Sequence, residues 1–262
     1  MPRFEGEVLE VREYGQGRLF RVAVDSLAAQ PGQFAHLLCG EDSPRTLRRP
    51  FSIMDCSDGS LGLLVKVVGE GTAWLAGRRV GDRLDMLAPL GRGFNLELYE
   101  RPLLVAGGTG LAPLHFLAKR LEAAKGHSPR LLWGLSCGED FGAMPAWLER
   151  DIDLSIATCD GSAGMEGTVI DLLGSELARA DYDGVFACGP EAMLDALGPL
   201  IRKHALPCQV SVEQRMACGI GVCFGCAVKK SGEEQSYLRV CLEGPVFDYS
   251  DLAWGGDGPG GA

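Results

Sequence analysis

The chain has 262 residues, of which 46% are hydrophobic and 23% charged, and its formal net charge is −10. This composition is ordinary for a globular protein long enough for two domains and a small appendage, and its acidic balance disfavours binding to nucleic acid. No apolar run reaches the roughly 18 residues of a membrane span, and the N-terminus lacks the apolar segment of a signal peptide. We therefore expect a cytoplasmic protein that binds no membrane.

Short strands separated by turns are predicted for the first hundred residues. The segments 4–11, 19–24, 33–38 and 61–68 are rich in β-forming residues. Glycine and proline punctuate this region at intervals of about eight to fifteen residues, which is typical of all-β folds. The pattern predicts a small antiparallel β-barrel, which we assign to residues 1–100.

Within this predicted barrel, two segments carry residues suited to phosphate. Arg49 and Ser52 stand three apart, with Pro50 fixing the backbone between them. A guanidinium can grip a pyrophosphate with two parallel hydrogen bonds, and a serine hydroxyl can donate to the same ligand. Downstream, Lys66 adds a cation and Gly71-Thr72 a turn of the kind that contacts phosphate. Taken alone, each segment is better explained as a solvated strand edge or a hairpin.

From residue 101 onward the pattern changes to alternating strands and helices. We predict strands at 103–106, 130–135, 154–158, 184–188 and 209–213, and helices at 111–125, 143–150, 169–180 and 190–204. Such alternation predicts a Rossmann-like parallel α/β domain, which we assign to residues 101–210.

A glycine-rich turn, Gly107-Gly108-Thr109-Gly110, follows the first of these strands and opens the first helix. This is the context of dinucleotide-binding loops, where N–H groups at a helix N-terminus favour an anion. Pro113 suits the first helical turn but replaces the third glycine of that motif, so a plain strand-to-helix turn remains an alternative. Asp160 and Cys188-Gly189-Pro190 follow other strand ends and would line the same crevice, although turn chemistry alone also explains them.

Four cysteines dominate the remaining part of the chain. Cys218, Cys223, Cys226 and Cys241 have the spacing C-x4-C-x2-C…C, the plant-type arrangement for a [2Fe–2S] cluster. The intervening glycines let the backbone coil around an inorganic core and expose N–H groups to its sulfurs. Zinc is the alternative, but it usually takes two separated C-x2–4-C pairs. We assign residues 211–262 to a cluster domain that ends in a disordered glycine-rich tail.

Acid–base chemistry finds no support in the sequence. None of the four histidines lies in a motif, so we assign no catalytic acid or base to His36, His115, His127 or His204.

In their order along the chain, these motifs resemble the ferredoxin–NADP reductase superfamily. That resemblance is carried by Arg49-Pro50-Phe51-Ser52 and by residues 107–113 and 188–190. The segments 216–226 and 240–247 are more specific, and they resemble the electron-transfer subunits of class 1B dihydroorotate dehydrogenases. The resemblance covers the chain to about Asp251.

This resemblance implies an NAD-linked flavin and iron–sulfur oxidoreductase subunit of pyrimidine biosynthesis. It implies that FAD is held by Arg49, Pro50, Phe51, Ser52, Leu64, Val65, Lys66, Gly71 and Thr72. It implies that NAD binds near Gly107, Gly108, Thr109, Gly110, Pro113, Asp160, Cys188, Gly189 and Pro190, and that the [2Fe–2S] cluster is held by Cys218, Cys223, Cys226 and Cys241. The implied partner is an FMN-containing subunit that oxidises dihydroorotate, in a heterotetramer with two copies of each subunit.

Two other readings stay open. One is a subunit of another NAD(P)H-dependent flavin and iron–sulfur reductase, of the ferredoxin:NADP oxidoreductase, hydrogenase or sulfide-reducing diaphorase type. Some of those have Asp at the first cluster position, which Cys218 argues against. The other reading is a non-enzymatic module stabilised by zinc. For a reductase, we expect the isolated chain to act as a diaphorase, passing electrons from NADH to an artificial acceptor.

Overall fold

The structure is a computed structural model that describes residues 3–40, 47–57, 59–142, 144, 148, 152–233 and 235–255. Most of the helix predicted at 143–150, and the predicted disordered tail after Gly255, lie outside the described residues. Within the described part of the chain, no helix has both the length and the apolar character needed to cross a membrane.

Six antiparallel strands close into a barrel at the N-terminal end. They are β1 (Arg3–Tyr14), β2 (Gly17–Ala23), β3 (Phe34–Leu37), β4 (Arg49–Ser57), β5 (Ser60–Lys66) and β6 (Arg83–Leu90), paired in the order β1-β2-β5-β4-β3-β6 and closing on β1. A short helix, α1 (Glu70–Ala76), follows β5. The predicted antiparallel barrel is confirmed, with an interior filled by apolar side chains such as Phe20, Leu63 and Met86.

Two barrel strands, β4 and β6, are missing from the sequence-based prediction. Each contains a proline, and a proline in a sequence argues against a central strand. In the structure Pro50 is the second residue of β4 and Pro89 the second-last of β6. At a strand end, the missing backbone N–H costs little.

A seven-stranded sheet forms the second part of the fold. Its strands are β7 (Pro102–Gly107), β8 (Arg130–Leu135), β9 (Asp153–Thr158), β10 (Met165–Glu166), β11 (Gly184–Cys188), β12 (Cys208–Ser211) and β15 (Val246–Asp248). The order is β10-β9-β8-β7-β11-β12-β15, and every pairing except that of β12 with β15 is parallel. Helices α2 (Leu111–Lys125), α3 (Val169–Leu177) and α4 (Glu191–Lys203) connect the strands. This confirms the predicted parallel α/β architecture.

The C-terminal segment does not stand apart from this sheet. After the hairpin of β13 (Ala227–Lys229) and β14 (Tyr237–Arg239), strand β15 returns to the sheet edge, where Val210 pairs with Phe247. Cys226 and Cys241 belong to the same apolar core as Leu103 of β7. The domain limits at 100 and 210 stay predictions, and residues from both sides of the second limit share one sheet.

Candidate functional site

The four predicted metal ligands lie close together between β12 and β15. The Sγ atoms of Cys226 and Cys241 are 3.3 Å apart. The N–H of Gly221 donates to Cys241 Sγ at 3.0 Å, and the N–H of Ile220 donates to Cys218 Sγ at 3.4 Å. Backbone donors directed at sulfur stabilise thiolates and tune a bound metal.

These surroundings act on the thiols in opposite directions. Burial works to raise the pKa of Cys218, but N–H groups of Ile220 and Cys223 outweigh it and lower that pKa to about 6. Burial, together with the neighbouring Cys226, raises the pKa of Cys241 to about 12. A bound metal would hold both thiols in the deprotonated form, including Cys241, whose pKa is raised in the chain alone. The donor set therefore fits a metal group.

The four cysteines form two pairs. Cys223 hydrogen-bonds to Cys218, with its N–H 3.5 Å from Cys218 Sγ, and Cys226 contacts Cys241. In a [2Fe–2S] cluster each iron takes two thiolates, so two pairs of thiols fit a cluster with two irons. The spacing C-x4-C-x2-C, rather than the pairing, is what disfavours zinc.

The backbone of the cysteine loop has conformations that few residues tolerate. Gly219 and Gly221 have φ of +68° and +83°, in the left-handed region that favours glycine. Arg239 holds the loop by donating to Gly221 O at 2.8 Å, and Glu243 Oε1 accepts from the same guanidinium at 2.6 Å. The Phe224 ring lies 4.9 Å from the guanidinium carbon. Sequence reasoning did not identify this Arg239 support.

The residues predicted to hold FAD lie on β4, β5 and α1. A Cβ at Gly71 would lie 3.4 Å from Arg49 Nε, so the structure brings these two segments together. Thr72 Oγ1 accepts hydrogen bonds from the N–H groups of Val68 and Gly69 at 2.9 and 3.0 Å, and so fixes the start of α1. The other predicted residues, Pro50, Phe51, Ser52, Leu64 and Val65, occupy consecutive positions on the paired strands β4 and β5.

Lys66 makes a contact that the sequence did not predict. Its Nζ lies 3.0 Å from Asp140 Oδ1 and 5.8 Å from the centre of the Phe141 ring. The backbone oxygen of Asp140 also accepts a hydrogen bond from the N–H of Gln16, in the turn between β1 and β2. Asp140 therefore contacts the barrel at two places. As placed, the ammonium group joins the barrel to the α/β domain, and its role toward FAD stays a prediction.

We expect Lys66 and Asp140 to be energetically coupled in the chain without FAD. Lys66→Met, Asp140→Asn and the double variant should show a coupling of about 1 kcal/mol in denaturant unfolding, because Lys66→Met leaves the buried Asp140 charge unpaired and Asp140→Asn leaves the partly buried Lys66 charge unpaired. Additivity within about 0.3 kcal/mol would mean that the two groups do not form a stabilising pair.

The residues predicted to bind NAD meet at the carboxyl ends of β7 and β11. The turn Gly108–Gly110, which contains Thr109, links β7 to α2. A Cβ at Gly110 would lie 2.1 Å from Cys188 O, and one at Gly107 would lie 2.8 Å from Pro190 Cδ. The Gly107 and Gly189 Cα atoms are also close, since a Cβ on Gly189 would come within 3.0 Å of Gly107 Cα. Only glycine allows these two loops to approach so closely.

The remaining predicted NAD residues lie around this junction. Pro113 is buried in the first turn of α2. Asp160 follows β9, which β8 separates from β7, and its carboxylate accepts the N–H of Ser162 at 3.1 Å. The structure therefore brings the Gly107 and Cys188 segments together and places Asp160 two strands away.

The thiol of Cys188 is influenced by the negative charge of a carboxyl group, that of Glu213, which the sequence analysis did not identify. Burial raises the pKa of this thiol, and the negative charge of Glu213 raises it further. Burial also raises the pKa of Glu213. The signal in the sequence is its position at the end of the strand predicted at 209–213, at the edge where ligands of parallel sheets bind.

We expect Gly110→Ala to damage the NAD site. The added methyl would collide with backbone of the Cys188 segment, so the free energy of unfolding should fall by about 2 kcal/mol, and the KM for NADH should rise at least about tenfold. Gly174→Ala is the matched control, because no atom lies within 4 Å of its added Cβ in the middle of α3. Equal NADH kinetics in the two variants would show that the tight turn is not needed for binding.

Comparison with known proteins adds independent information. Residues 213–253 match the family model described as the iron–sulfur cluster binding domain of dihydroorotate dehydrogenase B. The chain is 40% identical over 230 residues to the dihydroorotate dehydrogenase B (NAD(+)) electron transfer subunit of Desulforamulus reducens, covering 86% of this chain and 87% of that protein. It is 39% identical over 227 residues to the subunit of the same name from Geobacillus thermodenitrificans, covering 83% and 84%.

The chain is also similar to solved structures of other reductases. A chain from the structure of the NADH-dependent reduced ferredoxin-NADP oxidoreductase superposes with a TM-score of 0.84 and 30% identity, covering 95% of this chain and 90% of that one. The ferredoxin reductase of carbazole 1,9a-dioxygenase superposes with a TM-score of 0.67 at 22% identity, covering 79% and 67%. The second likeness concerns the fold alone.

Proposed function

The chain belongs to the family of dihydroorotate dehydrogenase B (NAD(+)) electron transfer subunits, and from that premise we propose that it carries electrons between a catalytic partner subunit and NAD+ in pyrimidine biosynthesis. Its cofactors are FAD and a [2Fe–2S] cluster, and its nucleotide substrate is NAD. The observation that carries the proposal is the paired arrangement of Cys218, Cys223, Cys226 and Cys241 against the barrel.

FAD is the component that exchanges a hydride with NADH and single electrons with an iron–sulfur cluster, so it belongs between the two. The contribution of the protein is to hold FAD and the nucleotide in position. Arg49 and the turn at Gly71 would hold FAD at the barrel, and the glycine turn before α2 would hold the nucleotide's phosphates. The Cys188 segment, which packs against this glycine turn, would complete the nucleotide site.

The position of the cysteine loop against the barrel supports this arrangement. A Cβ at Gly219 would lie 2.3 Å from His36 Nδ1, so the loop touches β3 directly. In turn, His36 pairs with Pro50 of β4, the strand that begins with Arg49. The proposed cluster and FAD sites are therefore linked through adjacent barrel strands, which would keep the distance between them short.

Exposed apolar side chains flank the predicted ligands in the cysteine loop, and Leu242 lies against Gly221 of that loop. We call Ile220, Val222, Phe224 and Leu242, with exposed fractions of 38%, 72%, 57% and 44%, the cluster patch. Exposed apolar side chains that gather at one place mark protein interaction sites. We propose that an FMN-containing subunit that oxidises dihydroorotate binds at the cluster patch, in a heterotetramer with two copies of each subunit.

Reconstitution tests this function. The purified chain, loaded with FAD and iron, is mixed with an FMN-containing subunit that oxidises dihydroorotate. NADH should form from dihydroorotate and NAD+ only when both subunits are present. A loaded chain that gives no NADH with the partner would refute the assignment.

The likeness to the NADH-dependent reduced ferredoxin-NADP oxidoreductase favours a second candidate function. In that case the chain would serve a ferredoxin:NADP oxidoreductase. Formation of NADPH from reduced ferredoxin, without any response to dihydroorotate, would select this candidate over the first.

A further inference from the structure

A fully buried histidine faces the cysteine loop with both ring nitrogens unpaired. His36 on β3 is 0% exposed, and neither Nδ1 nor Nε2 has a hydrogen-bond partner among the described residues. Leaving a buried polar group unsatisfied costs about 1–3 kcal/mol. Such a group therefore points to a ligand that supplies the missing partner.

The alternation of β3 directs this ring at the cysteine loop. Ala35 and Leu37 fill the barrel interior, whereas Phe34 packs in the same core as Cys226. His36 lies two residues after Phe34 on the same strand, so both side chains are on the outer face of the barrel. The ring meets the loop at Gly219, where an added Cβ would lie 2.3 Å from Nδ1 and 2.8 Å from Cε1.

The charge state of His36 suits a hydrogen-bond donor rather than a cation. Burial lowers the pKa of the ring to about 4, against an interaction with the Arg48 backbone that raises it, and the positive charges of Arg48 and Arg49 add to the effect of burial. A neutral imidazole carries one N–H donor and one acceptor nitrogen. Arg48 donates to the backbone oxygen of His36 at 3.3 Å, so this hydrogen bond does not involve the ring nitrogens.

We infer that His36 is a positioning residue for the iron–sulfur cluster, whose ring N–H donates a hydrogen bond to a sulfur held by the cysteine loop. The inference rests on the proposed function, because it requires a cluster in that loop. Hydrogen bonds to cluster sulfurs stabilise the more negative, reduced state and so raise the reduction potential. In this way a barrel strand next to β4 would set the potential of the cluster.

The first test needs no substitution. The full chain is labelled with 15N-histidine, reduced anaerobically and examined by pulsed EPR. We expect a coupling between a histidine nitrogen and the reduced cluster. The absence of any histidine coupling in a chain with full iron content would overturn the inference.

The second test is a redox titration of variants followed by EPR. His36→Phe should bind iron but favour the oxidised cluster about tenfold, which lowers the one-electron potential by about 59 mV. His36→Gln, which keeps an N–H donor, should recover part of this shift, and the exposed His204→Phe is the control that should not move the potential.

The two proposals fail in different ways. A wild-type chain that binds no iron would refute the proposed function itself. A loaded His36→Phe chain with an unchanged potential would refute only the role of His36.

Discussion

Replacing Cys218, Cys226 or Cys241 by serine should lower dihydroorotate-dependent NAD+ reduction at least about 100-fold in the complex with the partner. Each variant loses one of the four thiolates that a [2Fe–2S] cluster requires, and serine is a poor ligand for iron in such a site. NADH oxidation by an artificial acceptor should remain close to wild type, because the proposed FAD and NAD sites lie away from the cysteine loop, on the barrel and at the ends of β7 and β11. Steady-state assays of the two reactions, together with iron content, measure the split.

The matched control for this experiment is Cys159→Ser. Cys159 is an exposed cysteine after β9, in the α/β domain rather than in the cysteine loop. Its replacement should leave both activities and the iron content unchanged. A Cys226→Ser chain that keeps iron and full NAD+ reduction would contradict the ligand assignment, and so would an equal loss of both activities in a folded variant.

The combined substitution Val222→Asp and Phe224→Asp should weaken binding of the catalytic partner at least about 100-fold, because it buries two unpaired charges in an interface. Both side chains are largely exposed in the free chain, at 72% and 57%. Because the Phe224 ring lies on Arg239, Val222→Asp alone is measured beside the double variant, as the change that leaves the Arg239 support of the cysteine loop intact. The affinity can be measured by titration calorimetry and the assembly by sedimentation. Iron and FAD contents should equal those of the wild type.

A second exposed valine provides the control for the cluster patch. Val80 is 64% exposed and lies between α1 and β6 on the barrel. Val80→Asp should bind the partner with wild-type affinity. If the double variant still forms the complex as tightly as Val80→Asp does, the partner binds elsewhere.

Local patterns in the sequence predicted the parts of this molecule that depend on short stretches of chain. The cysteines proposed as ligands lie mostly within one loop, so their spacing alone indicates a metal site. The inner strands of the sheet are buried on both faces, which gives continuous apolar runs such as the fully buried Leu103 and Leu104. The helix predicted at 111–125 matches α2 at both ends, since Gly110 and Gly126 flank it.

Contacts between distant segments were beyond such patterns. The pairing of Lys66 with Asp140 joins residues 74 positions apart, and nothing near Lys66 indicates it. Likewise, the residues around His36 in the sequence form no motif. Its proposed role depends on its contact with Gly219, which only the folded chain brings about. The return of β15 to the sheet edge escaped prediction because a strand of three residues is too short to show a period.

The central claim is that this chain moves electrons between NADH, FAD and an iron–sulfur cluster. The most direct measurement is an anaerobic titration of the purified chain with NADH, followed by visible absorption and EPR. We predict about one FAD and two irons per chain, with loss of the oxidised flavin absorption and the appearance of a reduced-cluster EPR signal as NADH is added. A colourless protein that contains zinc, with neither iron nor flavin, would contradict the account.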